Sequence, residues 1–141
     1  MNSKSLSSLG YDTNLLIYAC DKADPARQQK AIQLLASSQD GVLLWQVACE
    51  FLAASRKLAP QGFVAADAWN RLAEFVALFP VVLPNELVLD KAREFHLLHG
   101  WSYWDAMIVG ACLTSGVKSL YTEDLPGKVV PGSLEIVNPF A

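Results

Sequence analysis

The stretch Leu9-Gly10-Tyr11-Asp12-Thr13-Asn14-Leu15-Leu16-Ile17-Tyr18-Ala19-Cys20 sets a short extended segment, an acid and an apolar helical run in direct succession. Leu9 to Tyr11 reads as a strand that hands over, through Asp12-Thr13-Asn14, to a helix from Leu15 to Cys20. Its first half returns late in the chain, where Ser119 to Thr122 reads as a strand and Glu123-Asp124 follows it directly. A strand that ends in an acid and gives way to a helix is the opening of an α/β unit.

The chain between these points alternates in the same way. Asp24-Pro25 is an N-cap with proline at the first helical position, and Ala31, Leu34 and Leu35 give that helix its apolar face. Ser37 to Gly41 is a turn cluster, Val42 to Trp45 a short strand, and Gln46 to Leu58 a helix that Pro60-Gln61-Gly62 breaks. Phe63 to Phe79 is amphipathic, with Asp67, Asn70, Arg71 and Glu74 as its polar stripe. Val81 to Leu83 is a strand between Pro80 and Pro84. Asn85 caps a helix that stops at Gly100, and Ser102 opens a nearly all-apolar helix that stops at Gly116. Leu134 to Val137 is a last strand, closed by Asn138-Pro139. There is no internal repeat and no low-complexity tract. Alternating strands and helices predict an α/β fold, a mainly parallel central sheet covered on both faces. Sites in such folds form at the carboxyl ends of strands, where Asp12 and Asp124 stand.

Length and composition fit one domain over residues 1–141, with 52% hydrophobic and 18% charged residues. A chain of this size buries roughly two thirds of its unfolded surface and needs no covalent staple. The three cysteines, Cys20, Cys49 and Cys112, have no CxxC spacing and sit in apolar helical patterns, so they read as buried hydrophobes in a reducing compartment. Met1 to Gly10 is serine-rich without an apolar core, and Ala106 to Leu113 is far too short to span a bilayer. A soluble, cytoplasmic protein with no membrane contact is expected. The net charge of −3 argues against binding nucleic acid by bulk electrostatics. Divalent cations on an acidic cluster would supply part of the missing positive charge.

Most of the 14 acids lie beside Lys or Arg on polar helix faces. Four stand apart. Asp105 has Trp101, Ile108, Val109 and Cys112 as helical neighbours, a costly place for a lone carboxylate; Ser102 and Asp105 also fit a capping box. Glu50 shares a stripe with Gln46, Ala53 and Lys57 that could equally be a solvent face. Asp12 could cap the helix that begins at Thr13, and Asp124 could be an ordinary loop acid. Together, the four come from two strand ends and two helices of one small sheet. Converging carboxylates repel one another, so they protonate or bind cations, and Mg²⁺ or Mn²⁺ takes oxygen ligands. Such ions activate water and stabilise the pentavalent phosphate of phosphodiester hydrolysis without a catalytic Ser or Cys.

Other motifs are poor. There is no GxxxxGK[ST] loop and no GxGxxG. His96 and His99 lack a third ligand at zinc-like spacing. Trp45, Trp69, Trp101 and Trp104 read as core or interface residues rather than base-stacking platforms.

The sequence is similar to PIN-domain nucleases, in particular the VapC-like toxins of bacterial toxin–antitoxin pairs. Five blocks carry the resemblance in family order and spacing: Asp12 to Ala19, Gln46 to Phe51, Ser102 to Ala106, Leu120 to Leu125 and Ile136 to Phe140. The resemblance implies a three-layer α/β/α sandwich, usually dimeric, and a Mg²⁺- or Mn²⁺-dependent endoribonuclease. It carries Asp12, Glu50, Asp105 and Asp124 over as the acidic quartet that holds metal and the attacking water, with Asn14, Ser102 and Thr122 in support. It implies a small antitoxin that can place an arginine in the acidic pocket, as suits a basic plug. Two departures stand out: Ser3 to Tyr11 lacks the usual apolar β-branched run, and Trp45 stands where a small hydroxyl residue is common.

Competing readings are weaker. A haloacid-dehalogenase-type phosphohydrolase needs Asp-x-Asp, and position 14 is Asn. A receiver domain wants an acidic pair and a late lysine that the chain does not lay out. A non-catalytic interaction module on the same fold would not need all four acids. The basic residues, Arg56, Lys57, Lys118 and Lys128 among them, show no readable RNA code.

Overall fold

The computed structural model describes residues 8–125, 129–130 and 134–141. The chain runs β1 (Leu9–Tyr11), α1 (Thr13–Cys20), α2 (Pro25–Ser37), β2 (Gly41–Leu44), α3 (Trp45–Ala54), a 3₁₀ segment (Ser55–Gln61), α4 (Ala65–Leu78), β3 (Val81–Val82), α5 (Leu87–His99), α6 (Tyr103–Ser115), β4 (Ser119–Tyr121), β5 (Val129–Val130) and β6 (Leu134–Val137). The sheet order is β3-β2-β1-β4-β6-β5. Every neighbouring pair is parallel except β5 with β6, so the sheet is mainly parallel, as the sequence predicts.

The order explains where a site can form. The first two crossovers step one way from β1, and the third returns to β4 on its other side. Right-handed crossovers of opposite direction put their helices on opposite faces, which makes the three layers of an α/β/α sandwich. On one face α1 packs on α2 and α3, and α3 on α4; α5 and α6 pair on the other. The reversal leaves a crevice beyond the carboxyl ends of β1 and β4. Register aligns Tyr11 with Tyr121, so Asp12 and Thr122 leave the sheet side by side.

The core runs through both faces. Leu16, Ile17, Val47 and Phe51 are buried on α1 and α3, and Val109 and Cys112 on α6. The weak first strand is three residues long yet central, hydrogen-bonded to both β2 and β4. Gly41 of β2 lies directly under the Tyr11 ring, where a Cβ would run into the phenol hydroxyl.

Several expectations shift. Trp45 opens α3 instead of closing β2, and the helix after it ends at Ala54. The chain continues through Pro60 as 3₁₀ and breaks at Gly62, which takes a left-handed φ of 83°. Strand β5 has no counterpart in the sequence reading. Cys20 and Cys112 are buried, but Cys49 is exposed, because its position on α3 faces away from the sheet. The helix at Ser102 is buried only from its second turn, and Tyr103 and Trp104 are 67% and 61% exposed. Trp45 and Trp69 are exposed as well, so they are not core residues. Residues 3–7 of the weak leading stretch, and Lys128, lie outside the described residues.

Candidate active site

Asp12 is the most confined of the four acids, 7% exposed. It N-caps α1: its Oδ1 accepts the Thr13 N–H at 2.6 Å. Its Oδ2 accepts the Thr122 hydroxyl at 2.6 Å. The cap and a carboxylate presented at the strand end are therefore one arrangement. Burial pushes the Asp12 carboxyl up to about 6; the bonds from Thr122 and Thr13 oppose this, and the Asp124 charge adds to it.

Thr122 serves both strand-end acids. While its hydroxyl donates to Asp12, its Oγ1 accepts the Asp124 N–H at 3.1 Å. The Asp124 side chain is exposed, and Asn14 Nδ2 donates to its Oδ2 at 3.3 Å.

Glu50 rises from α3 and is half-buried. The Thr13 hydroxyl donates to its Oε1 at 2.7 Å, and Gln46 Nε2 to its Oε2 at 2.9 Å. The same Gln46 amide reaches the Trp104 carbonyl at 3.1 Å and ties α3 to the first turn of α6. In that turn Ser102 Oγ accepts the Asp105 N–H at 3.1 Å, the bond that the capping-box pattern predicts. Burial raises the Asp105 carboxyl; Ser102 works against it, and Asp124 and Glu50 add to it by charge repulsion.

All seven residues read from the sequence thus meet around one crevice except Thr122, which lies behind Asp12. Asp12, Asn14, Glu50, Ser102, Asp105 and Asp124 line a cleft of about 760 Å³, together with Thr13, Gln46, Cys49, Trp104 and Ile108. No Lys, Arg or His lines it among the described residues. Thr13 and Gln46 were not anticipated. The spacing of Gln46 four residues before Glu50 on one helix face is the signal for the second; nothing local marks the first. His96 stacks on Tyr103 and His99 on Trp101, away from the acids, which leaves no zinc-like set there.

The donors are carboxylate, amide and hydroxyl oxygens, a hard set of the kind Mg²⁺ and Mn²⁺ prefer. Among the described residues no three His, Cys, Asp or Glu side chains stand close enough to hold an ion as they are. What fits is the chemistry of the set and the mutual repulsion of its members, which a cation would relieve.

A family model described as PIN domain matches residues 11–125. A search of curated proteins finds no match. Among solved structures, the fold is similar to Mycobacterium tuberculosis VapC20, a toxin that cleaves the sarcin–ricin loop: TM-score 0.68 and 19% identity, over 83% of this chain and 90% of that one. It is also similar to a chain of a toxin–antitoxin complex from Klebsiella pneumoniae, with TM-score 0.63 and 20% identity, over 94% of this chain and 98% of that one.

Proposed function

The chain belongs to the PIN domain family, and from that premise we propose that it is a metal-dependent endoribonuclease, the toxin of a toxin–antitoxin pair. The observation that carries the reading is the gathering of Asp12, Glu50, Asp105 and Asp124 in one cleft at the strand ends.

Asp12, Asp105, Asp124 and Glu50 would hold Mg²⁺ or Mn²⁺. The ion would supply water activation and charge neutralisation at the phosphodiester. The chain's own part is positioning. Thr122 and the Thr13 N–H fix the rotamer of Asp12. The Thr13 hydroxyl and Gln46 each occupy one oxygen of Glu50 and aim what remains of its lone pairs into the cleft. Asn14 orients Asp124, and the Ser102 cap presents Asp105 at the start of α6.

RNA is the proposed substrate, and an antitoxin the proposed partner. An acidic cleft lined by no Lys, Arg or His among the described residues suits a basic side chain delivered by an inhibitor. Homodimerisation and action in the cytoplasm complete the proposal. Among the described residues no helix is long and apolar enough to cross a membrane.

The test is cleavage of total and transfer RNA by purified protein in Mn²⁺ and Mg²⁺, with an EDTA lane and an identically purified Asp105→Asn variant. Cutting that is lost in both controls supports the reading. Metal-loaded, folded protein that cuts none of a broad RNA panel would turn it toward an interaction module on the same fold.

A further inference from the structure

A nuclease cleft has to hold a polyanion, and cations usually do this. Here the wall carries acids, amides and apolar groups, with no Lys or Arg among the described residues. Metal at the acids could take the scissile phosphate, but among the described residues no lysine or arginine lines the wall for the phosphates beside it. What the wall does offer is Trp104. Its side chain is 61% exposed at the rim of a 760 Å³ cleft, directly before Asp105 in the chain. Ile108, one helical turn on, continues the same wall, with Ala53, Ala54 and Cys49 also lining the cleft.

An exposed indole beside four carboxylates has no role in the core: the buried residues of α6 begin at Ala106. Its backbone is nevertheless held, because Gln46 binds the Trp104 carbonyl and Glu50 with the same amide. The main chain that carries the ring is thus tied to the hydrogen-bond network that positions one of the acids. An exposed aromatic face next to a phosphodiester site matches the flat faces of the bases flanking that bond.

We infer that Trp104 is a specificity-determining residue: it stacks on the base beside the bond that is cut and so adds a grip on a base to the grip on the phosphate. This rests on the ribonuclease reading. A paired base has its faces covered by its neighbours, so the bond chosen lies in an unpaired stretch with a base free to turn onto the indole.

The experiment crosses Trp104 with that base. Short oligoribonucleotides containing a cleaved site are prepared intact and with an abasic residue at each position flanking the cut. Wild type, Trp104→Ala and Trp104→Phe are compared for KM and kcat in Mn²⁺. Substitution at 104 leaves the carbonyl that Gln46 binds in place, and matched far-ultraviolet circular dichroism and melting curves establish that the variants fold. On intact RNA, Trp104→Ala is expected to raise KM about tenfold with kcat changed less than twofold, the size of one stacked base. Trp104→Phe recovers most of the loss. With the abasic residue at the stacking position, wild type falls to the level of Trp104→Ala and the two losses do not add. Additive losses, or an unchanged KM in Trp104→Ala, would overturn the stacking role while wild-type cleavage still supports the nuclease. Failure of wild type to cut any RNA in Mn²⁺ would overturn both.

Discussion

Arg27 Nη1 lies 2.7 Å from Glu123 Oε2, an ion pair that joins α2 to the residue directly before Asp124. The same guanidinium donates to the Tyr18 hydroxyl at 2.8 Å, Tyr18 donates to Glu123, and Arg27 covers the Tyr18 and Phe140 rings. Asn14 donates to the Asp124 side chain and the Asp124 N–H donates to Thr122, and this clasp adds a further restraint on its backbone. Arg27→Met should therefore cut RNA about tenfold more slowly. It should cost little stability, since the pair is partly exposed and screened. Urea unfolding against single-turnover rates separates the two effects; a rate equal to wild type would show that Asp124 does not need the clasp.

Asp12 should make the metal-free protein more stable in mild acid. Its carboxyl sits at about 6 in the fold against 3.8 unperturbed, mainly because burial disfavours the charged form. A raised folded value means that this stability is complete below about pH 4 and is lost as pH rises through 6. Asp12→Asn removes the dependence. In EDTA the variant should match wild type near pH 4 and exceed it by about 2 kcal/mol at pH 7.5, read from urea midpoints, while losing RNA cleavage. Thr122→Val acts the other way: it strips a donor from buried Asp12, costs about 1–3 kcal/mol and slows cleavage. Thr122→Ser should restore both. Parallel pH curves for wild type and Asp12→Asn would reject the account of Asp12.

Gly41 is required by the Tyr11 ring rather than by its own backbone angles. Gly41→Ala forces Tyr11 and Phe79 to move and should cost about 1–3 kcal/mol, several degrees in melting temperature for a domain of this size. Adding Tyr11→Phe removes the hydroxyl in the way and should return part of that loss. If the double variant melts no higher than Gly41→Ala alone, the collision is not what Gly41 avoids.

The strand–acid–helix grammar at Leu9 to Cys20, the strand that runs into acids at Ser119 to Asp124 and the alternation between them are enough to predict a mainly parallel sheet and the end of it where acids gather. Caps were equally legible, since Asp24, Ser102, Gly100 and Gly116 act through neighbours in the chain. Trp45 misled because an aromatic after Val42-Leu43-Leu44 continues a strand pattern, whereas the chain turns at Leu44 without a side-chain cap. Tyr103 and Trp104 misled because apolar composition cannot tell a buried turn from one that projects into a cleft. The bonds that hold the acids were out of reach for another reason. Thr13 meets Glu50 across 37 residues and Arg27 meets Glu123 across 96, and no local pattern encodes such a pairing.

The one cysteine that turned out exposed has a practical use. Cys49 opens onto the cleft next to Glu50, while Cys20 and Cys112 are buried. The unmodified protein therefore carries a single addressable thiol on the wall of its own site, and the rate at which an alkylating dye reaches it becomes an optical gauge of whether the cleft is filled.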